Sequence, residues 1–298
     1  HVRSRRQRQM CIRDSFQIPS ENPWEAHKTL FSLYEKAFTP WEWQELLIKE
    51  GQKLGMEVFS SPFDCTAVEF LEDLKVVAYK IASPEITDIP LIKKIGTTHK
   101  PVFLSTGVAT LEDIDLAVRT LRNEGCTEII LLKCTTAYPA PPEEINLRTI
   151  PHMAETFKCL TGISDHTKGI GIPIAAVSLG AVAIEKHFIL DKNDSSVDAF
   201  FSLDRFEFKE MVEEVHKVEK ALGKPNYDPS PEAKKNMRWR RSLYASKNIQ
   251  RGDSFTEENI KSVRPSFGLH PKFQEVVLGR KASMDLELGD KITWEKIN

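Results

Sequence analysis

Six short apolar runs, each ending in small polar residues and followed by a longer amphipathic stretch, set the first constraint on this chain. They are MEVFSSPF (56–63), VAYKIAS (77–83), PVFLSTG (101–107), EIILLKC (128–134), LTGISDH (160–166) and AVAIEKHF (181–188), and they start 21 to 32 residues apart. Apolar runs with little alternation suit parallel strands covered on both faces, and this spacing is the length of a strand–helix unit. The pattern predicts an α/β fold with its polar residues at the carboxyl ends of the strands. Both a (β/α)8 barrel and an open doubly wound sheet hold ligands there, so the pattern alone leaves the two open.

After the sixth run, DRFEFKEMVEEVHKVEKALG puts Phe208, Met211, Val212, Val215, Val218 and Leu222 on one helical face, with Asp204 as N-cap. Residues 223–237 then bring three prolines and no periodicity, which reads as a linker. Beyond it, ASKNIQRGDSFTEENI (245–260) aligns without gaps on ASMDLELGDKITWEKI (282–297), identical at seven of 16 positions. Each Gly-Asp pair predicts a tight turn, and each Thr with a Glu two residues on predicts a capped helical turn. Residues 238–298 are therefore expected to form a small, pseudo-symmetric, β-rich module. A core of that size is marginal alone, so it is expected to lean on the first domain or on a second subunit.

Composition narrows the function classes. With 298 residues, 41% apolar and 28% charged, the chain is globular rather than disordered or fibrous. No run approaches the roughly 18 apolar residues of a membrane span and no charged start leads into a signal core, so no membrane association and a cytoplasmic location are expected. Cys11, Cys65, Cys126, Cys134 and Cys159 contain no CxxC pair, which supports neither a disulfide framework nor a zinc knuckle. Residues 1–15 carry five Arg against one Asp. They show no aromatic interleaving and no continuity with the rest of the chain, so they are read as a non-native scar rather than as a nucleic-acid-binding arm.

Ser61, Ser83, Ser105, Thr136 and Ser164 lie at or just past strand ends, and Lys80 lies within YKIAS. One serine at a strand end is ordinary turn chemistry. Five hydroxyls in step, with an ammonium, suit a phosphate or carboxylate. His166 and His187 end the fifth and sixth runs, where they can share an open-sited cation such as Mn²⁺ or form two hydrogen-bonded histidines without metal. Asp165 can orient His166 or cap the following turn. Lys80, Lys133 and Lys186 raise Schiff-base chemistry as a rival, although Lys133 and Lys186 also read as a charged rim or as half of a salt bridge with a residue such as Glu185. The remaining histidines lie at no strand end and receive no role.

FSSPFD (59–64), YKIAS (79–83), LSTG (104–107), KCTTAYPAP (133–141), GISDHT (162–167), IEKHF (184–188) and RPSFGLHP (264–271) together resemble the sialic-acid synthase family, over nearly everything after Phe16. The resemblance implies a (β/α)8 TIM barrel over 16–222, the linker 223–237 and an antifreeze-like (SAF) domain over 238–298. It implies an enzyme that condenses phosphoenolpyruvate with an N-acetylated amino sugar and water, helped by a divalent cation, Mn²⁺ or Mg²⁺. Phosphoenolpyruvate contacts would fall on Ser61, Lys80, Ser83, Ser105, Tyr138 and Ser164, and the metal on His166 and His187, with Lys80 and the two histidines catalytic. Asp198 would face sugar hydroxyls, and Arg264 would reach the sugar from the neighbouring subunit of a domain-swapped homodimer. Thr136 stands where sialic acid synthases have Asn.

Eight strands are needed, and six are countable. The amphipathic stretch at 40–55 stands where the second barrel helix belongs. The chain is therefore expected to lack strands one and two, and with them a catalytic Glu and a phosphate-binding Lys that the resemblance implies. On that expectation it has no turnover as it stands. The alternative class is a fragment that binds anions and dimerises without catalysis.

Overall fold

The computed structural model describes residues 16–18, 20, 24–37, 39–193 and 196–298; the basic segment 1–15, with Cys11, lies outside them. The chain divides into two units, His1–Gly223 and Lys224–Asn298.

In the first unit, α1 (Leu30–Ala37), α2 (Trp41–Lys53) and α3 (Cys65–Asp73) precede β1 (Tyr79–Ile81). Then come α4 (Ile89–Gly96), β2 (Val102–Ser105), α5 (Leu111–Asn123), β3 (Ile129–Cys134), α6 (Thr149–Phe157), β4 (Leu160–Asp165), α7 (Gly171–Ser178), β5 (Ile184–Lys186) and α8 (Arg205–Leu222). Helices start where a side chain can take the first free N–H groups: Asp64 caps α3, and Thr110 with Asp113 and Asp204 with Glu207 form capping boxes on α5 and α8. Of the apolar face expected on α8, Met211 is buried while Val212 and Leu222 are exposed.

The five strands pair in parallel and in chain order. Of the six runs, the first is the exception, since 56–63 contributes only a parallel bridge from Ser60 to Tyr79. Pro62 explains part of this, because it removes an N–H from the run. Val68, Ile92, Val102, Leu104, Ala117 and Leu131 are buried between sheet and helices.

Lys80 on β1 and Glu185 on β5 belong to opposite ends of this sheet, yet Nζ and Oε2 are 3.0 Å apart. In a flat sheet, four strand spacings of about 4.8 Å would put the two backbones about 19 Å apart, beyond the reach of both side chains. The sheet is therefore curled into a barrel wall, with the pair on its concave face. That decides between the two architectures that the strand rhythm left open.

In the second unit, β6 (Ser242–Ala245) pairs antiparallel with β7 (Ile260–Val263), beside the short helices α9 (Pro231–Asn236) and α10 (Gln274–Val277). α9 forms inside the stretch read as a linker, because Ser230 caps it and Pro231 suits the first helical position. The internal repeat is realised as a pseudo-dyad. Ile249 and Leu286, equivalent in the two copies, exchange backbone hydrogen bonds of 2.9 and 2.8 Å. Gly252 donates to Ala282 at 2.8 Å, and its counterpart Gly289 donates to Ala245 at 2.9 Å. The glycines have φ of 90° and 93°, as the expected turns require. The capping expectation is corrected at Thr293, whose side chain makes no cap bond. Instead Ser246 and Ser283 hydroxyls donate to the Glu258 and Glu295 carbonyls, both at 2.8 Å.

Gly162 in β4 lies hard against the next segment: a Cβ there would meet the Ala183 carbonyl oxygen at 2.4 Å and Leu132 Cδ2 at 2.8 Å. Gly162→Ala is expected to destabilise the first unit by about 1–3 kcal/mol through overpacking, measured as a lower urea midpoint. An unchanged midpoint would show that the two segments part without cost.

Candidate active site

Successive side chains of a strand point to opposite faces, and the concave face receives every second residue. On β4 and just past it these are Ser164 and His166; on β5 and just past it they are Glu185 and His187; on β1 it is Lys80. They line a pocket of about 430 Å³ together with Ser83, Ser105, Cys134, Tyr138 and Asp198. Ser61 and Thr136 are not among the lining residues: Ser61 is buried, with Phe63 lining the pocket instead, and Thr136 is exposed. Arg264 lies in the second unit, exposed and followed by a cis peptide to Pro265.

The polar floor is organised around Lys80. Its ammonium is paired with Glu185, and the Ser164 hydroxyl donates to Glu185 Oε1 at 2.9 Å. Burial alone would push the Glu185 carboxyl up, but the Lys80 charge, with hydrogen bonds from Lys80 and Ser164, holds it below the ordinary carboxylate range. The Gly107 N–H donates to Ser83 Oγ at 2.9 Å, so the serine hydroxyl keeps its own proton to give. Ser105 is 1% exposed and its Oγ has no hydrogen-bond partner among the described residues. A buried hydroxyl left unsatisfied is costly, and here it lines a cavity floored by a cation and further hydroxyls. The arrangement suits an anion.

The His166 and His187 ring centroids are 5.1 Å apart. His166 Nδ1 lies 2.7 Å from the Thr135 carbonyl, which only accepts, so Nδ1 carries the proton and Nε2 the lone pair. His187 Nδ1 lies 3.4 Å from Asp198 Oδ2. Among the described residues no group of three or more His, Cys, Asp or Glu is placed to hold a metal ion. Two imidazoles this close, with the His166 Nε2 lone pair unused by the Thr135 contact, are a donor set that would suit an open-sited cation whose other positions would go to water and substrate oxygens. Tyr138 packs on His166 with centroids 4.4 Å apart and on Trp24 at 5.3 Å, and Phe201 packs on His187 at 4.7 Å.

The structure corrects the pairing expected of the strand lysines. Glu185 serves Lys80; Lys186 is paired with Asp165; and Lys133 donates to the Cys134 carbonyl at 2.9 Å. Asp165 takes no bond from the His166 ring but accepts the Thr167 N–H at 2.9 Å. Sequence reasoning missed Cys134 and the apolar flank of Phe16, Trp24, Leu30 and Tyr34. Burial would raise the Cys134 thiol, but the neighbouring His166, Ser83 and Ser164 side chains bring it below the ordinary thiol range. The position of Cys134 at the end of a strand was a usable signal. The flank comes from a segment without strand periodicity, which gave none.

Comparison with known proteins finds a match to the NeuB family over residues 4–227 and to the SAF domain over residues 240–298. The chain is 47% identical over 269 residues to a pseudaminic acid synthase of Campylobacter jejuni, covering 90% of this chain and 78% of that protein. It is 41% identical over 240 residues to an N,N'-diacetyllegionaminic acid synthase of the same species, covering 80% and 72%. The crystal structure of an N-acetylneuraminic acid synthetase from Leptospira borgpetersenii, in complex with citrate, superposes with a TM-score of 0.66 at 30% identity, over 73% of this chain and 74% of that one.

Ser105→Ala removes a hydroxyl that bonds to none of the described residues. It is expected to leave stability unchanged or raise it by up to about 1 kcal/mol, while weakening inorganic phosphate binding about three- to tenfold. Calorimetric titration with phosphate and thermal melts check both parts.

Proposed function

The chain belongs to the NeuB family, and we propose that it is a pseudaminic acid synthase, joining phosphoenolpyruvate to 2,4-diacetamido-2,4,6-trideoxy-L-altrose and water and releasing phosphate. The observation that carries this reading is the convergence of Lys80, Ser83, Ser105 and Ser164 with the His166–His187 pair in one pocket. The choice of sugar is supported by similarity to a pseudaminic acid synthase over most of the chain. It is also supported by LFSLYEKAFTPWEW (30–43), VDAFFSLD (197–204) and GLHPK (268–272), which are similar to that branch of the family.

On this reading Lys80 and the serine hydroxyls hold the phosphate and carboxylate of phosphoenolpyruvate, work that is positioning and charge stabilisation. His166 and His187 hold a divalent cation, Mn²⁺ or Mg²⁺, which when bound polarises the sugar aldehyde. C3 of the enol attacks the aldehyde carbon, whose oxygen takes a proton to become a hydroxyl. Water adds to the oxocarbenium at C2 and gives up a proton, and the resulting hemiketal collapses to the 2-keto acid as phosphate leaves with cleavage of its C–O bond. Asp198, beside His187, is assigned to sugar hydroxyls. Ser61 and Thr136 keep a weaker claim, since neither lines the pocket. Lys80 lies in an ion pair, the arrangement of an ammonium that holds an anion rather than of an imine-forming amine. The reading includes a cytoplasmic, domain-swapped homodimer in which Arg264 of a second copy serves the sugar. No helix among the described residues is long and apolar enough to cross a membrane.

The test follows phosphate release from phosphoenolpyruvate with the trideoxy altrose and with the sugar precursors of legionaminate and N-acetylneuraminate. It is run on this chain and on the same chain extended with N-terminal residues of the C. jejuni relative, which separates the contribution of those residues from a wrong assignment. The altrose is expected to be preferred at least tenfold in kcat/KM. Preference for another sugar, or no release by either form, overturns the reading. EDTA is expected to abolish turnover, with recovery on adding Mn²⁺, and His187→Ala to abolish it without recovery.

A further inference from the structure

Behind the two histidines, on the opposite face of the same strands, lies an ion pair that the proposed reaction does not use. Asp165 and Lys186 are in register at the last residues of β4 and β5, and their side chains are 0% and 1% exposed. The Lys186 ammonium donates to Asp165 Oδ2 and also to the Thr167 carbonyl. Asp165 in turn accepts the Thr167 N–H at 2.9 Å and the Thr167 hydroxyl at 3.0 Å. His166 is thus bracketed by two residues of one knot, and the third member of that knot immediately precedes His187.

A buried ion pair adds little net stability over an apolar pair of equal volume, because desolvation offsets the attraction. What it does fix is geometry. Here it fixes the shear of β4 against β5 at the point where the ladder ends and the two imidazoles begin. It also fixes the turn at Thr167, and with it the approach of His166 Nδ1 to the Thr135 carbonyl at 2.7 Å.

We propose that the Asp165–Lys186 pair is the positioning device of the two-histidine site, holding the rings at their 5.1 Å separation without touching what they bind. The proposal rests on the reading of His166 and His187 as a shared cation site. Thr167 belongs to the same device, as the link that carries the constraint across His166.

The test replaces both charges at once, Asp165→Leu with Lys186→Met, which leaves no buried charge without a partner. Two signals are read. Imidazole ¹⁵N NMR at pH 8 reports the His166 tautomer, and electron paramagnetic resonance reports Mn²⁺ binding. The unmodified chain is expected to show a single Nδ1–H tautomer at His166. The double variant is expected to show tautomer averaging and at least tenfold weaker Mn²⁺ binding, with phosphate affinity changed less than twofold. An unchanged tautomer with unchanged Mn²⁺ affinity overturns the proposal, and so does a lower melting temperature as the only effect. If the unmodified chain binds no Mn²⁺ while the double variant still loses the tautomer, the cation reading falls and the positioning role stands. Should the double variant fail to fold, Asp165→Asn is read by the same spectrum, with tautomer averaging supporting the proposal and a locked ring overturning it.

Discussion

The contact between Lys80 and Glu185 is the constraint around which the first unit is organised. It joins the first and last strands of a five-stranded sheet, and only a curled sheet brings them within 3.0 Å. Curling turns alternate side chains of every strand toward one axis, which is how Lys80, Ser105, Ser164 and Glu185, with Ser83 and two histidines just past strand ends, come to share a pocket. The pair also sets the character of that pocket. An ammonium balanced by one carboxylate, with hydroxyls around it, offers an incoming anion a positive partner already desolvated and held in place.

Much of the fold was legible because it follows from periodicity. Apolar runs at strand–helix spacing located all five strands of the sheet, and the Asp204 cap and Gly252–Gly289 turns were readable from local chemistry alone. The run at 56–63 reads as a strand yet yields one bridge, since apolar content reports burial and not ladder pairing. The pseudo-dyad of the second unit was legible for a different reason. Two copies of one sequence reach equivalent environments only by meeting at equivalent residues, as Ile249 and Leu286 do.

The site was legible where strand ends carry it and illegible where loops do. Lys80, Ser105 and Ser164 follow from position on a strand and His166 and His187 from the residue just past one; all line the pocket, as does Ser83, which opens a helical turn two residues past β1. Ser61 and Thr136 share that sequence position but not the pocket. Thr136 lies two residues past β3, where pleat no longer dictates direction. Phe16, Trp24, Leu30 and Tyr34 reach the pocket by tertiary packing, anchored in part by Trp24 Nε1 donating to the Val197 carbonyl at 2.9 Å. No spacing in the sequence encodes a contact between residues so far apart. The choice among carboxylates for Lys186 was equally hidden, because Asp165 and Glu185 are both nearby and only the pleat sorts them.

That sorting explains how so short a strand keeps its register. β5 has three residues, Ile184 to Lys186, of which only Ile184 is apolar and it is only partly buried, so apolar burial specifies its alignment weakly. Charge supplies what burial does not. Glu185 faces the pocket and meets Lys80, while Lys186 faces the other side and meets Asp165. A slip of one residue in one direction would put Lys186 in the place that faces Lys80, and a slip in the other would put Glu185 opposite Asp165, so either slip brings like charges together on one face and breaks the ion pair on the other. It would also turn His187 away from His166. The consecutive residues Glu185, Lys186 and His187 therefore act as one device, in which two ion pairs on opposite faces exclude the wrong register and the histidine takes the position that the right one leaves.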